Sequence, residues 1–217
     1  MRGVKKNKTR ITLALTANAD GSDALPVLYL GHAAKPRCFK NRKPETFGFN
    51  YRNNKKAWMT SEIYGEWLRA LDRDMRAAGR HILLLLDNAS SHAAKDLALT
   101  NVKVRKLPPN TTAFLQPMDA GIIAAFKLRY RRKQVEWVYG KIKRGEDIGK
   151  KAYAVDQRQA MEWCEEIWHD MKNTPTIGNC FRHTGVVFNG VDERSGSSYG
   201  DDVSVEEVIL RASQIHL

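Results

Sequence analysis

Two carboxylates stand where a sequence can build metal chemistry. Asp87 follows the apolar run Ile82-Leu-Leu-Leu-Leu86, and in open α/β sheets the carboxyl ends of strands are where sites form. Asp119 precedes Ile122, Ile123 and Phe126 at helical spacing, which predicts that it shares their inward face. A carboxylate there is costly unless a positive group meets it. Brought together, the two would hold Mg²⁺ or Mn²⁺, hard cations that take carboxylate oxygens and keep water and phosphate as further ligands. Two such ions can clamp the attacking and leaving oxygens of a phosphodiester. Position alone leaves plainer roles open, because Asp-Asn after a strand often caps a turn and an Asp near a helix N-terminus serves the helix dipole.

Other residues could assist that chemistry. Asn88 adjoins the first carboxylate, and His92 could position water or phosphate, although a lone His is more often structural. Thr111, Thr112 and Gln116 are polar loop residues that could touch phosphate, with capping as the alternative. Trp58 beside Lys55 and Lys56 could stack on a base or sugar; an aromatic at a helix entrance also packs. Lys127, Arg129, Arg131, Arg132 and Lys133 form a basic helix face that could contact backbone phosphates or simply face solvent.

These residues need elements to hold them. Arg10 to Ala17 alternates Ile11, Leu13 and Leu15 with smaller or polar residues, the period of a half-buried strand. Leu25 to Leu30 predicts a second strand, joined to it through Asn18-Ala-Asp-Gly-Ser-Asp23 as an antiparallel hairpin. Gly31 to Asn54 reads as a long loop with short strands. Thr60 or Ser61 then caps a helix carrying Ile63, Tyr64, Trp67, Leu68, Leu71 and Met75 on one face and ending at Gly79. His81 to Leu86 predicts a strand buried on both faces. Ala93 to Leu99 suggests a short helix, and Val102 to Leu107 a strand parallel to the previous one. Pro117 fits the first turn of a helix burying Ile122, Ile123, Phe126 and Tyr130 and reaching Val138. An acidic amphipathic helix with Ala160, Cys164, Ile167, Trp168 and Met171 follows. Asn189 to Asp202, rich in Gly, Ser and Asp, predicts disorder, and Val203 to Ala212 suggests a last short helix.

Composition narrows the partner. The chain has 217 residues, 36 Lys plus Arg against 24 Asp plus Glu, and a net charge of +12; its pI is near 9.7 and its mean hydropathy −0.50. That balance favours a polyanion. The first 151 residues hold 31 basic and 13 acidic side chains, the rest 5 and 11. A basic body would face nucleic acid while the acidic end packs against it or repels it. No apolar run approaches the roughly 20 residues that cross a bilayer, and no secretory signal is evident. Cys38, Cys164 and Cys180 lack CxxC spacing, so a reducing compartment is expected.

Read in order, the strings Ile82-Leu-Leu-Leu-Leu-Asp87-Asn-Ala-Ser-Ser-His92, Leu107-Pro-Pro-Asn-Thr-Thr112 and Leu115-Gln-Pro-Met-Asp119-Ala-Gly-Ile-Ile-Ala-Ala-Phe-Lys127 form a pattern. It resembles the DDE superfamily endonuclease domain of pogo- and Tigger-like transposases, with centromere protein B and jerky-type proteins among the relatives. Asn18-Ala-Asp-Gly-Ser22, Lys35-Pro-Arg-Cys-Phe39, Asn54-Lys-Lys-Ala-Trp-Met-Thr60 and Ile177-Gly-Asn-Cys-Phe-Arg182 are further matches. The resemblance spans about Arg2 to Val187 and implies an α/β fold, an RNase H-like mixed sheet flanked by helices. It divides the chain into a partial DDE endonuclease domain, 1–187, and an acidic, flexible C-terminal segment, 188–217.

The resemblance also implies three metal-binding acids, of which Asp87 and Asp119 match the second and third. The first belongs to an Asp-Glu-Thr-like segment on the opening strand, before the basic stretch Arg2 to Arg10. Asp20 is no substitute, since its context matches the later hairpin. The expectation is therefore a domain lacking its opening strand, with an unpaired sheet edge, an incomplete two-metal site and negligible strand cleavage. A helix-turn-helix region that normally comes earlier is also not seen. The implied function is a transposon-derived DNA-binding domain of the nucleus, ancestrally cleaving and transferring strands, with a homodimer as an open option. The alternatives are a non-catalytic nuclear DNA-binding or protein-interaction protein, or a vestigial product.

Overall fold

A computed structural model describes residues 10–87, 97–149, 152–186 and 205–216. Its framework is a six-stranded sheet in the order β3-β2-β1-β6-β4-β5. The strands are β1 (Arg10–Asn18), β2 (Leu28–Gly31), β3 (Asn50–Asn53), β4 (His81–Leu86), β5 (Val102–Lys106) and β6 (Val205–His216). β1 is antiparallel to β2 and β6, while β2 with β3, β4 with β5 and β4 with β6 are parallel. Every strand but β1 therefore points the same way, and the carboxyl ends of β3, β4 and β5 share one end of the sheet.

Helices cover both faces, which explains why the alternation in β1 does not leave a wet side. The helices are α1 (Ser61–Ala77), α2 (Thr112–Leu115), α3 (Ile123–Lys143), α4 (Gln157–Lys172) and α5 (Thr176–Thr184). Ala14, Leu28, Leu30, Ile82, Leu84, Leu86 and Val102 pack with Ile63, Tyr64, Leu68, Leu71 and Met75 of α1. Ile11, Leu13, Leu15, Tyr29 and Leu85 point the other way, into a larger core with Phe126, Tyr130, Trp163, Trp168 and Phe181 from α3, α4 and α5. The two sets obey the strand period of two. Thr12 and Thr16, expected at a solvated face, are buried. Thr12 Oγ1 meets its polar requirement by donating to the Ala57 carbonyl at 2.8 Å.

Local chemistry sets the ends of the elements. Thr60 caps α1 by accepting from the Ile63 N–H, and Gly79 takes φ +67° just beyond its end. Asp156 caps α4 by accepting from the Gln159 N–H. Asp72 ties α1 to β5, accepting the backbone N–H groups of Thr100, Asn101 and Val102 at 3.0, 2.7 and 3.0 Å.

Three sequence expectations change. Residues 205–216 form a strand rather than a helix, consistent with the β-branched Val205, Val208, Ile209 and Ile215. Part of the segment 188–217, set apart by its composition, is thus built into the sheet. β6 also pairs with both β1 and β4, so neither carries the unpaired edge expected from a missing opening strand. The short helix expected at 93–99 falls largely outside the described residues, as does the segment 189–202.

Candidate functional site

Asp87 leaves β4 where pairing with β5 closes, since the Leu107 N–H donates to the Leu86 carbonyl at 2.8 Å. It is half-buried. It continues the odd-numbered series Leu83 and Leu85, whose side chains lie on the α3 face of the sheet. Asp119 lies in a wide turn, Met118–Ile122, that leads into α3. Met118, Ile122 and Ile123 share a core cluster with Leu85. The fold therefore brings the segments bearing both carboxylates to one face of the sheet.

The expected inward orientation of Asp119 is corrected. Its side chain is exposed, while Met118 and Ile122 on either side of it are fully buried. The reason is the turn. Gly121 departs from helical backbone (φ 164°, ψ −22°), so the phase of α3 does not extend back to Asp119. The chain passes close to α5 there, and a Cβ on Gly121 would stand 2.9 Å from Cys180 Sγ. A widened turn with a Gly is a signal that helical spacing alone overlooks.

Two carboxylates are the right kind of donor for Mg²⁺ or Mn²⁺. They fall short in number: among the described residues no group of three or more His, Cys, Asp or Glu side chains converges. Asn88 and His92 lie outside the described residues. Gln116 is fully buried, with neither amide atom hydrogen-bonded among the described residues. Thr111 Oγ1 donates to the Pro108 carbonyl at 2.7 Å, which is the turn-forming role. The cysteines are not poised as nucleophiles, because burial pushes the Cys38, Cys164 and Cys180 thiols up.

The loop after β3 is built by one side chain. Asn54 Oδ1 accepts from the N–H groups of Lys56 and Trp58 at 3.0 and 3.2 Å, and its Nδ2 donates to the Trp58 carbonyl at 2.6 Å. Ala57, at φ +51°, turns inward and is buried. Lys55, Lys56 and Trp58 are left exposed, with Trp58 49% accessible. β3 and β4 are four strand spacings apart, about 19 Å at the usual 4.8 Å. That is too far for these cations to join the carboxylate pair, and within the width of a duplex.

The α3 cations divide. Arg132 pairs with Glu136 at 2.8 Å, Lys133 pairs with Glu166, and Arg129 donates to the Ala125 carbonyl at 3.4 Å. Lys127 and Arg131 are exposed. The structure gathers no basic face there of the continuous kind that spacing suggests, because exposed apolar side chains interrupt it.

The comparisons agree with the order of motifs. The model of the family described as DDE superfamily endonuclease matches residues 8–181. ARS-binding protein 1 of Schizosaccharomyces pombe is 32% identical over 197 residues, covering 86% of this chain and 37% of the relative. CENP-B homolog protein 2 of the same organism is 31% identical over 198 residues, covering 87% and 38%. Tigger transposable element-derived protein 4 of Mus musculus is 35% identical over 124 residues, covering 57% and 24%. The chain thus spans less than two fifths of the length of these curated relatives. No solved structure is significantly similar to it. The family match runs across β1 to α5, through both carboxylates and the Asn54 loop, and on that ground the chain belongs to the DDE superfamily endonuclease family.

Proposed function

We propose that the chain is a transposase-derived DDE domain, RNase H-like in fold, which binds DNA in the nucleus along the carboxyl end of its sheet without cutting it. The observation that carries this reading is strand direction. β3, β4 and β5 end together, so Lys55, Lys56 and Trp58, then Asp87, then Lys106 come to one edge of a strongly basic body. Lysines there neutralise backbone phosphates, and Trp58 offers a stacking face. The names of the relatives, an ARS-binding protein and CENP-B homologs, point the same way.

Asp87 and Asp119 would be the residues that hold Mg²⁺ or Mn²⁺, which when bound polarises a phosphodiester toward in-line attack by water or a 3′-hydroxyl. Lys55 and Lys56 would fix the duplex, and Trp58 would limit its slide. With no third acid joining the pair among the described residues, the site there lacks about one unit of the charge that balances a divalent cation and phosphate.

Fluorescence anisotropy with a labelled duplex tests the binding. Affinity is expected to fall linearly with salt on logarithmic axes, and Lys55→Glu with Lys56→Glu to reduce the slope by about two. A salt-independent affinity overturns the reading of the interface. Mg²⁺-dependent plasmid nicking that disappears in Asp87→Asn overturns the absence of cleavage.

A further inference from the structure

We infer that the outward face of α3 is a docking surface for an acidic amphipathic helix of a partner protein. α3 is apolar on two opposite faces. Ile123, Phe126 and Tyr130 are buried against the core. On the other side Leu128, Val135, Tyr139 and Ile142 are 70, 55, 57 and 52% exposed. Their spacing of seven, four and three residues places them in a strip about 60° wide at 100° per residue. From Leu128 to Ile142 the strip is about 21 Å long at 1.5 Å per residue. Single exposed apolar residues need no explanation; a strip along four turns of one helix does.

Charge selects the occupant. Lys127 and Arg131 border the strip on one side, Arg132 and Lys143 on the other. Lys143 reaches over the Tyr139 ring at 5.0 Å. Glu136 is the one acid of α3, and Arg132 already pairs with it. A second α3 laid against this face would oppose cation to cation. DNA would satisfy the rim and leave the four apolar side chains against phosphate. An amphipathic helix with leucine-like anchors and glutamates on its flanks satisfies both, the helix-on-face mode of peptide recognition with complementary edges.

The test uses the full chain and two labelled, stapled 21-residue helical peptides with identical leucine stripes, one flanked by Glu and one by Lys. The Glu peptide is expected to bind at least tenfold more tightly. Leu128→Ser with Val135→Ser, both at exposed positions, is expected to weaken it at least tenfold while leaving duplex affinity and thermal melting unchanged. Equal affinity for the two peptides, or binding indifferent to the double substitution, overturns the inference. So does a wild-type dimer in light scattering that the double substitution dissolves, which would make a second copy the occupant. Loss of duplex affinity in the same variant would make DNA the occupant. Lys55→Glu with Lys56→Glu should leave peptide binding intact, which separates this surface from the DNA-facing edge.

Discussion

Replacing Asp72 should expose how much of the fold depends on one carboxylate. Its side chain is 3% accessible. One oxygen accepts three backbone N–H groups at the entrance to β5, and the other pairs with Arg76 at 2.8 Å and meets Thr100 Oγ1 at 3.3 Å. Asp72→Ala strands two buried donors, Asn101 and Val102, and the part-buried Thr100 N–H; at about 1–3 kcal/mol for each buried donor, with partial relaxation, the loss is about 3–5 kcal/mol. For a chain of this size that lowers Tm by roughly 6–20 °C. Asp72→Asn keeps the oxygen that takes the three N–H groups and replaces the acceptor of Arg76 and Thr100 Oγ1 with an uncharged amide N–H₂. The arginine side chain is 58% exposed, and screening holds the loss to about 1–2 kcal/mol.

The pH dependence gives the sharper check. Burial pushes the Asp72 carboxyl up, but the Asn101 N–H, the Arg76 guanidinium and the Val102 and Thr100 N–H groups outweigh it and hold it below the usual range. A folded value below the unfolded one means that the unfolded chain takes the proton first as pH falls. The contribution is therefore complete above the ordinary carboxylate range and is lost as pH drops through it toward the folded value. Urea melts of wild type and Asp72→Asn at pH 7, 5 and 3 should show a gap that persists at pH 7 and 5 and narrows at pH 3. A gap unchanged at pH 3, or an Asp72→Ala loss under 1 kcal/mol, refutes the reasoning.

Deleting residues 205–217 should abolish cooperative melting by circular dichroism, because among the described strands the sheet pairing of β1 with β4 runs through β6; an unchanged transition would show that the strand is dispensable. Gly121→Ala should cost about 1–3 kcal/mol through contact with Cys180 Sγ, and Gly121→Ala with Cys180→Ala should recover most of it in the same melt. Gln116→Met should be neutral or stabilising by about 1 kcal/mol, since it removes two buried polar atoms without partners among the described residues. A loss above 1 kcal/mol would show that the amide is satisfied in solution.

Elements whose sequence period matches their burial were legible: Ile11, Leu13 and Leu15 in β1, Ile63 to Met75 in α1, the run in β4 and Ala160 to Met171 in α4. α5 was not read as a helix, because Gly178 and the flanking Pro175 and Gly185 interrupt a span of nine residues. β6 was misread because Glu206 and Glu207 favour helix in isolation, and pairing with two neighbouring strands overrides that preference. The places of Asp87 at the end of a strand and of Asp119 before a helix were legible, but the widened turn at Gly121 that faces Asp119 outward was not. The Asn54 loop shows a similar limit. Lys55, Lys56 and Trp58 are conspicuous, whereas the amide that exposes them is an ordinary asparagine until its three hydrogen bonds are seen.

The place of β6 also has a temporal side. Synthesis is vectorial, and the strand in the middle of this sheet is made after all its neighbours. β5 ends at Lys106 and β6 begins at Val205, an interval of roughly 5–20 s at ordinary elongation rates. Through that time the nascent chain holds two half-sheets whose facing borders, β1 on one and β4 on the other, have no mate among the described strands. Any extended segment emerging nearby can dock there first, and the nearest is the same region of the next ribosome's product on a crowded message.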